Sequence, residues 1–313
     1  MPRIAFLGSP PFAVRSLQAL LAAGAEVVAV VCQPDKPAGR GNELRAPAVK
    51  TFAAAAGLPI LQPTKVRDGT LAAWLRGQAP ELVVVAAYGR ILGEDVLRLT
   101  PRGCVNVHAS LLPRWRGASP IARAIAAGDA ETGVSLMQMD AGLDTGAVLA
   151  RTVVPITLFD TTATLEERLA DAGARLLVDN LAALADGRLI AVPQPTAGVT
   201  TAPPLQKTEG RIDWTWPAPR IHALIRAMQP WPGAATQPPE CAGEVWKLFA
   251  DGLALGRHEG RPGTVVALET DAAWLACGEG SLRLAWVQRP GRKAMSAADV
   301  LRGLRWGPGA RLG

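Results

Sequence analysis

The chain is poor in the residues on which several common chemistries depend. Its 313 residues include four cysteines and three histidines. Cys32, Cys104, Cys241 and Cys277 lie far apart and none belongs to a CxxC pair, which disfavours a zinc knuckle, a dithiol redox motif and a disulfide framework. Such thiols suit a reducing cytoplasm, the expected location. No stretch approaches the ~20 uninterrupted apolar residues that cross a bilayer. Met1-Pro2-Arg3 runs directly into Ile4-Ala5-Phe6-Leu7 and Gly8, which reads as a first strand rather than a signal peptide. Signature loops are missing as well. Gly8-Ser9-Pro10-Pro11-Phe12 offers one glycine where a dinucleotide fingerprint needs GxGxxG, so a nicotinamide dehydrogenase is disfavoured. There is no GxxxxGK[ST] for a triphosphate, no HExxH for zinc and no GxSxG nucleophile elbow.

What is present is a globular composition. Apolar residues make up 49% and charged residues 19%, with 32 glycines and 26 prolines, a balance that buries real cores and is neither disordered nor collagen-like. The length suits two domains. The formal charge is +6, and residues 283–313 carry Arg283, Arg289, Arg292, Lys293, Arg302, Arg305 and Arg311 against Asp299 alone. Concentration of charge at one end suits a polyanionic partner, and equally a solvated arginine-rich surface.

Through about residue 190, short apolar runs alternate with helical periodicity, the pattern of an α/β domain with a doubly wound, mostly parallel sheet. Strands are expected at 4–8, 26–32, 82–87, 104–108, 134–139 and 147–154, with a short one near Ile60. Helices are expected at 11–23, 46–56, 70–78, 119–127 and 162–185, the last with a buried stripe of Leu165, Leu169, Leu176, Leu177 and Leu181. Segment 189–208 carries Pro193, Pro195, Pro203 and Pro204 without a period and reads as a linker. Beyond it, one helix at 218–228 precedes short β-like runs near 245–249, 262–267, 272–276 and 282–287, which favours a small barrel or sandwich. Ser296 is placed to cap a terminal helix at 297–304. The expected division is 1–188, a linker at 189–208, and 209–313. Seven of the nine tryptophans lie beyond residue 200 and read mainly as packing material.

Chemistry is concentrated in two stretches. In Val105-Asn106-Val107-His108, strand alternation sends Asn106 and His108 to one face at the strand's carboxyl end, where open α/β sheets place ligands. The loop Asp140-Ala141-Gly142-Leu143-Asp144-Thr145-Gly146 then offers two carboxylates between glycines that let it fold back against the sheet. A carboxylate beside an imidazole orients the ring and favours its cation. Asp144, bracketed by glycines, is the better partner, whereas Asp140 fits a loop-capping role. His222 and His258 read as structural.

The motifs NVH at 106–108 with SLLPRWRGASP at 110–120 and MDAGLDTG at 139–146 resemble the folate-dependent formyltransferases, in particular those acting on methionyl-tRNA. GSPPFA at 8–13, QPDKPAGRG at 33–41, AYGRIL at 87–92, RIDW at 211–214, QPWPGA at 229–234 and KAMSAADVL at 293–301 extend the resemblance along nearly the whole chain. It implies a Rossmann-like catalytic domain followed by an OB-like tRNA-binding domain. It also implies transfer of the formyl group of 10-formyltetrahydrofolate, the donor co-substrate, to the α-amine of methionine on initiator tRNA, with no metal. Asn106, His108 and Asp144 would be catalytic. Folate would lie against Ser110, Leu111, Leu112 and Pro113 and against Arg90, with Ile91 and Leu92 forming an apolar slot. Lys36, Arg40 and Arg45 in the loop 35–50, with Lys207, Arg292 and Lys293 further on, would meet tRNA phosphates. The expected enzyme is a monomer. Three alternatives remain: a formyltransferase for a sugar-nucleotide or ribonucleotide amine, a non-catalytic RNA-binding protein, and, last, the dehydrogenase.

Overall fold

Ile4, Ala5, Phe6 and Leu7 are all buried, as a strand covered on both faces requires. In the computed structural model, which describes residues 2–38, 43–241 and 243–313, this run lies within an interior strand of the first sheet. In chain order the elements are β1 (Arg3–Gly8), α1 (Pro11–Ala22), β2 (Glu26–Val31), β3 (Lys36–Ala38), β4 (Glu43–Arg45), α2 (Ala48–Ala55) and β5 (Ile60–Leu61). Then come α3 (Thr70–Gly77), β6 (Leu82–Ala86), α4 (Glu94–Leu97), β7 (Cys104–His108), β8 (Arg116–Gly117) and α5 (Pro120–Ala127). The series continues with β9 (Glu131–Gln138), β10 (Val148–Pro155), α6 (Thr162–Asp179), α7 (Leu181–Asp186) and β11 (Thr201–Ala202).

The seven-stranded sheet has the order β10-β9-β7-β6-β1-β2-β5. The five strands from β7 to β5 are parallel, whereas β9 runs antiparallel to both β7 and β10. On one face Ala5, Leu7, Ala29, Val31, Val83, Val85 and Cys104 form a core with residues of α3 and α4. Cys104 on that face fixes the parity of β7, so Asn106 and His108 share it. The expected helix 162–185 is two helices. Asn180 interrupts it, its Nδ2 donating to Leu176 O at 2.8 Å, the backbone competition that makes asparagine a poor helix interior. Leu165, Leu169, Leu177 and Leu181 are buried as the stripe requires, while Leu176 is half-buried.

The chain divides into two compact units. One takes the chain up to Pro120 with Glu131–Pro155 and Glu166–Ala202; the other takes Ile121–Ala130, Ile156–Leu165 and Pro203–Gly313. Two short segments within 1–188 thus belong with the later residues, and most of the segment read as a linker belongs to the first unit. It is tied there by paired strands, β11 lying parallel to β8 through Thr201↔Arg116 and Ala202↔Gly117.

In the second unit α8 (Ala218–Ala227) is followed by β12 (Ala234–Thr236), β13 (Trp246–Leu248), β14 (Ala254–Gly256), β15 (Val265–Leu268), β16 (Ala273–Ala276), β17 (Ser281–Leu284), β18 (Trp286–Gln288), β19 (Met295–Ser296) and α9 (Ala297–Gly303). They form two four-stranded antiparallel sheets, β12-β13-β18-β19 and β14-β17-β16-β15. The chain crosses from one sheet to the other at Ala285, between β17 and β18, a corner typical of small barrel-like sandwiches. Ser296 caps α9 by accepting from Asp299 N–H. Trp214 and Trp246 are buried, whereas Trp231 and Trp286 are exposed. His222 and Arg226 on α8 are buried together: Arg226 Nε donates to His222 Nδ1, and its Nη1 donates to Thr157 O and Asp160 O. Burial, reinforced by the Arg226 cation, pushes the His222 imidazole down to about 4.

Candidate functional site

The first question at the end of β7 is how Asp144 reaches it. Because β9 is antiparallel, with Val105 opposite Gln138 and His108 opposite Ser135, the loop that leaves β9 starts beside the beginning of β7. Met139 N–H there donates to Cys104 O at 2.8 Å. To meet His108 the loop must fold back along the strand. Gly146 permits this, since a β-carbon on it would collide with Gln138 O. Asp140 holds the turn by accepting from Gly142 N–H and Thr145 Oγ1, the capping role expected of it.

Asn106, His108 and Asp144 come together. Asp144 Oδ1 lies 3.5 Å from Asn106 Nδ2, and Oδ2 lies 3.7 Å from His108 Nδ1, within ion-pair range. The Asp144 side chain is 14% exposed and that of His108 7%, so the carboxylate retains a window to solvent beside a covered ring. His108 Nε2 faces Trp115 O at 3.0 Å. A carbonyl can only accept, so Nε2 carries the hydrogen in this arrangement. Each ring nitrogen therefore faces an oxygen, and the doubly protonated ring has a partner on both sides.

Two residues around the imidazole have left-handed backbone, Trp115 at φ 62° and Asp144 at φ 52°. Such strain persists only where surrounding bonds hold it. Trp115 N–H donates to Thr200 Oγ1 at 2.8 Å, and Asp144 Oδ2 accepts Gly117 N–H at 2.9 Å. The Gln194 side chain donates to Asp144 O and Gly146 O and accepts twice from Arg116. Gln194, Thr200, Arg116 and Gly117 were not among the expected site residues. Arg116 and Gly117 carry a signal, since they continue the motif after His108, but Gln194 and Thr200 sit in an irregular proline-rich stretch with none.

The folate residues divide. Ser110 is buried; its Oγ donates to Arg114 O, and Ser135 Oγ donates to Ser110 O while accepting from Leu112 N–H. Leu111 O and Pro113 O also accept backbone hydrogen bonds, so much of this segment's backbone is already committed. Leu112 packs with Met137 and Val148. The slot expected of Ile91 and Leu92 is not formed by both: Leu92 belongs to the core beneath α3 and α4, while Ile91 is 61% exposed. Strand-to-loop alternation at a sheet edge separates adjacent side chains in this way. Arg90 Nη1 donates to Thr64 O. Among the described residues, no backbone N–H from Tyr88 to Leu92 donates to protein, which leaves an open polar edge beside β7.

The phosphate-binding expectations fall on exposed residues. Lys36 and Arg45 are directly opposite in the β3–β4 pair, a like-charge juxtaposition that favours an anion between them. Arg40 lies outside the described residues. Lys207 is exposed on a short 3-10 helix, Lys207–Gly210, and Arg292 and Lys293 are exposed between β18 and β19. The basic end is less charged in space than in sequence. Arg283 pairs with Glu269 and Asp271, Arg289 with Glu244, and Arg302 with Asp299. Burial pushes the Cys104 and Cys277 thiols up to about 12, which makes them packing residues rather than nucleophiles.

Residues 2–181 match the family described as formyl transferase, and residues 204–305 match its C-terminal domain. A methionyl-tRNA formyltransferase of Anaeromyxobacter dehalogenans is 52% identical over 306 residues, which cover 97% of this chain and 97% of that protein. The one from Myxococcus xanthus is 50% identical over 310 residues, 99% of this chain and 97% of its own. Among solved structures, HypX from Aquifex aeolicus in complex with tetrahydrofolic acid superposes with a TM-score of 0.61 at 18% identity, covering 96% of this chain and 47% of that one. An N-formyltransferase from Helicobacter canadensis, in complex with folinic acid and dTDP-3-aminofucose, gives 0.66 at 17% identity, covering 92% and 100%. At these identities the likeness is one of fold.

Proposed function

The chain belongs to the formyl transferase family, and from that premise we propose that it moves the formyl group of 10-formyltetrahydrofolate onto the α-amine of methionine carried by initiator tRNA. The observation that carries this reading is the meeting of an amide, an imidazole and a carboxylate at the end of β7.

The folate donor supplies a formyl carbon bonded to nitrogen. The amine nitrogen bonds to that carbon, the carbon–nitrogen bond to folate breaks, the amine loses a proton and the folate nitrogen gains one. The adduct between these events bears an oxyanion and an ammonium, so the site must offer hydrogen-bond donors and a proton carrier. Asn106 Nδ2 has two hydrogens, and with one turned to Asp144 the other serves the oxyanion. The His108 Nε2 hydrogen, held by Trp115 O in this structure, is the one that turns to hydrogen-bond the oxyanion and then passes to the departing nitrogen as the oxyanion collapses to the carbonyl. Asp144 steadies the ring and takes the ammonium proton, directly or through water. The open edge from Tyr88 to Leu92 supports a pterin beside β7, where its donors and acceptors have backbone partners. Ser110, Leu111, Leu112 and Pro113 wall the site chiefly through packing.

The tRNA meets Lys36 and Arg45, with Lys207, Arg292 and Lys293 adding phosphate contacts. A monomer suffices, since all three catalytic side chains come from one unit of one chain. It works in the cytoplasm, where charged initiator tRNA is consumed. The test supplies purified protein and labelled formyl-folate with charged initiator tRNA, charged elongator tRNA or free methionine. Label should enter the first efficiently; equal labelling of all three, or of none, overturns the proposal.

A further inference from the structure

We infer that Gln194 is a positioning residue for formyl transfer, acting through Asp144; the inference rests on the function proposed above. Asp144 reaches the imidazole on a fold-back loop, and its own backbone is left-handed at φ 52°. Aspartate tolerates that region better than most residues but gains nothing from it, so outside bonds must hold the loop.

Gln194 provides them. Its Nε2 donates to Asp144 O at 2.8 Å and to Gly146 O at 2.7 Å, gripping the loop on both sides of Thr145. Its Oε1 accepts from Arg116 Nε at 3.0 Å and Nη2 at 2.8 Å. Arg116 directly precedes Gly117, whose N–H donates to Asp144 Oδ2. A single amide thus ties the backbone that carries the carboxylate to the strand that holds the carboxylate. Both amide hydrogens and both lone pairs are used. The amide cannot be reversed, because Arg116 can only donate and the two carbonyls can only accept. Only glutamine meets these partners: glutamate keeps the length and the Arg116 pairing but turns an oxygen toward two carbonyl oxygens.

That difference supplies the test. In Gln194→Glu the loop loses its grip, and because misplacement of a reacting group by ~1 Å costs on the order of 10²-fold, kcat should fall by ~10–10²-fold. KM for charged tRNA and for formyl-folate should stay within about threefold, because the substrates do not bind through this amide. The decisive readout is a double-mutant cycle with Asp144→Asn, which keeps a residue suited to left-handed backbone and removes the carboxylate. On that background Gln194→Glu should cost less than about twofold, since its effect passes through a group already gone. Equal losses on both backgrounds, a rise in KM at constant kcat, or wild-type kcat in Gln194→Glu would each overturn the inference. Should Gln194→Glu lower the melting temperature markedly, Gln194→Met takes its place in the same cycle. If the wild-type protein itself transfers no formyl group, the proposed function fails and this inference with it; if it does and only the cycle disagrees, the positioning role alone is wrong.

Discussion

Gly117→Ala measures how far the fold can yield before the carboxylate is lost. Gly117 has φ 127°, a conformation open essentially to glycine alone. A β-carbon there would lie 2.6 Å from Ala202 O and 3.0 Å from Ala202 C, backbone atoms that cannot rotate away. Ordinary contact begins at 3.4 Å, so β8 and β11 must part by roughly 0.8 Å. They resist, being held by Arg116 N–H to Thr200 O at 2.9 Å and Ser119 N–H to Ala202 O at 3.1 Å. The backbone strain costs about 1–3 kcal/mol, and overpacking about the same again, for a loss of about 2–6 kcal/mol from the first unit. The same shift moves the Gly117 N–H that donates to Asp144 Oδ2 at 2.9 Å. Displacement on this scale costs on the order of 10²-fold in rate. Urea unfolding followed by near-UV circular dichroism and single-turnover formyl transfer to charged initiator tRNA read the two effects. A variant with the wild-type midpoint and turnover within about twofold would refute the reasoning, since β8 would then not be what fixes Asp144.

His108→Ala and Asp144→Ala should each lower kcat by on the order of 10²-fold or more while leaving tRNA affinity, read by filter binding, nearly unchanged; full activity in either removes the assignment. His222, ordinarily at 6.5, is held near 4 by burial, so the unfolded chain takes up its proton first as pH falls. Its contribution to stability is intact above about 6.5 and is lost between about 6.5 and 4, amounting to about 3 kcal/mol. Urea midpoints across that range should show a fall that His222→Gln flattens, and an identical slope in the variant would acquit the histidine. Arg292→Ala with Lys293→Ala should weaken tRNA binding and reduce the salt slope by about 1–2, and an unchanged slope would transfer those phosphate contacts elsewhere.

Period was the reliable guide to the fold. β7 was legible to the residue because its alternation is strict, and Ser296 because a cap has a local rule. The break at Asn180 was not, since the leucine stripe continues through it and the competing side-chain bond is a single contact. Asn106 and His108 followed from alternation, and Asp144 from the glycines around it. Gln194 and Thr200 could not be found this way: their partners are 48 to 85 positions distant, and irregular, proline-rich chain carries no period. The same lack of period made 189–202 read as a linker, although its order comes from hydrogen bonds to β8 and to the loop behind β9. Charge misled for a related reason. A one-dimensional count sees Arg283 and Arg289 beside few acids, while the sheets bring Glu269, Asp271 and Glu244 to them.

The direction of β9 links these observations. Had it run parallel to β7, its following loop would open at the sheet's carboxyl edge, and a carboxylate there would be anchored by the strand end itself. Running antiparallel, it releases the loop beside Cys104, and Asp144 is brought to His108 only by folding back. A fold-back loop has no ladder of its own, so its precision is that of the groups that hold it from outside: Gly117 N–H on the carboxylate and Gln194 on the backbone. The segment that supplies Gln194 also supplies Thr200, which holds Trp115 and so aims a carbonyl at the other imidazole nitrogen. Both sides of His108 are thereby set by one stretch of chain without regular structure until β11. Substitutions in that stretch should therefore register in turnover before they register in binding.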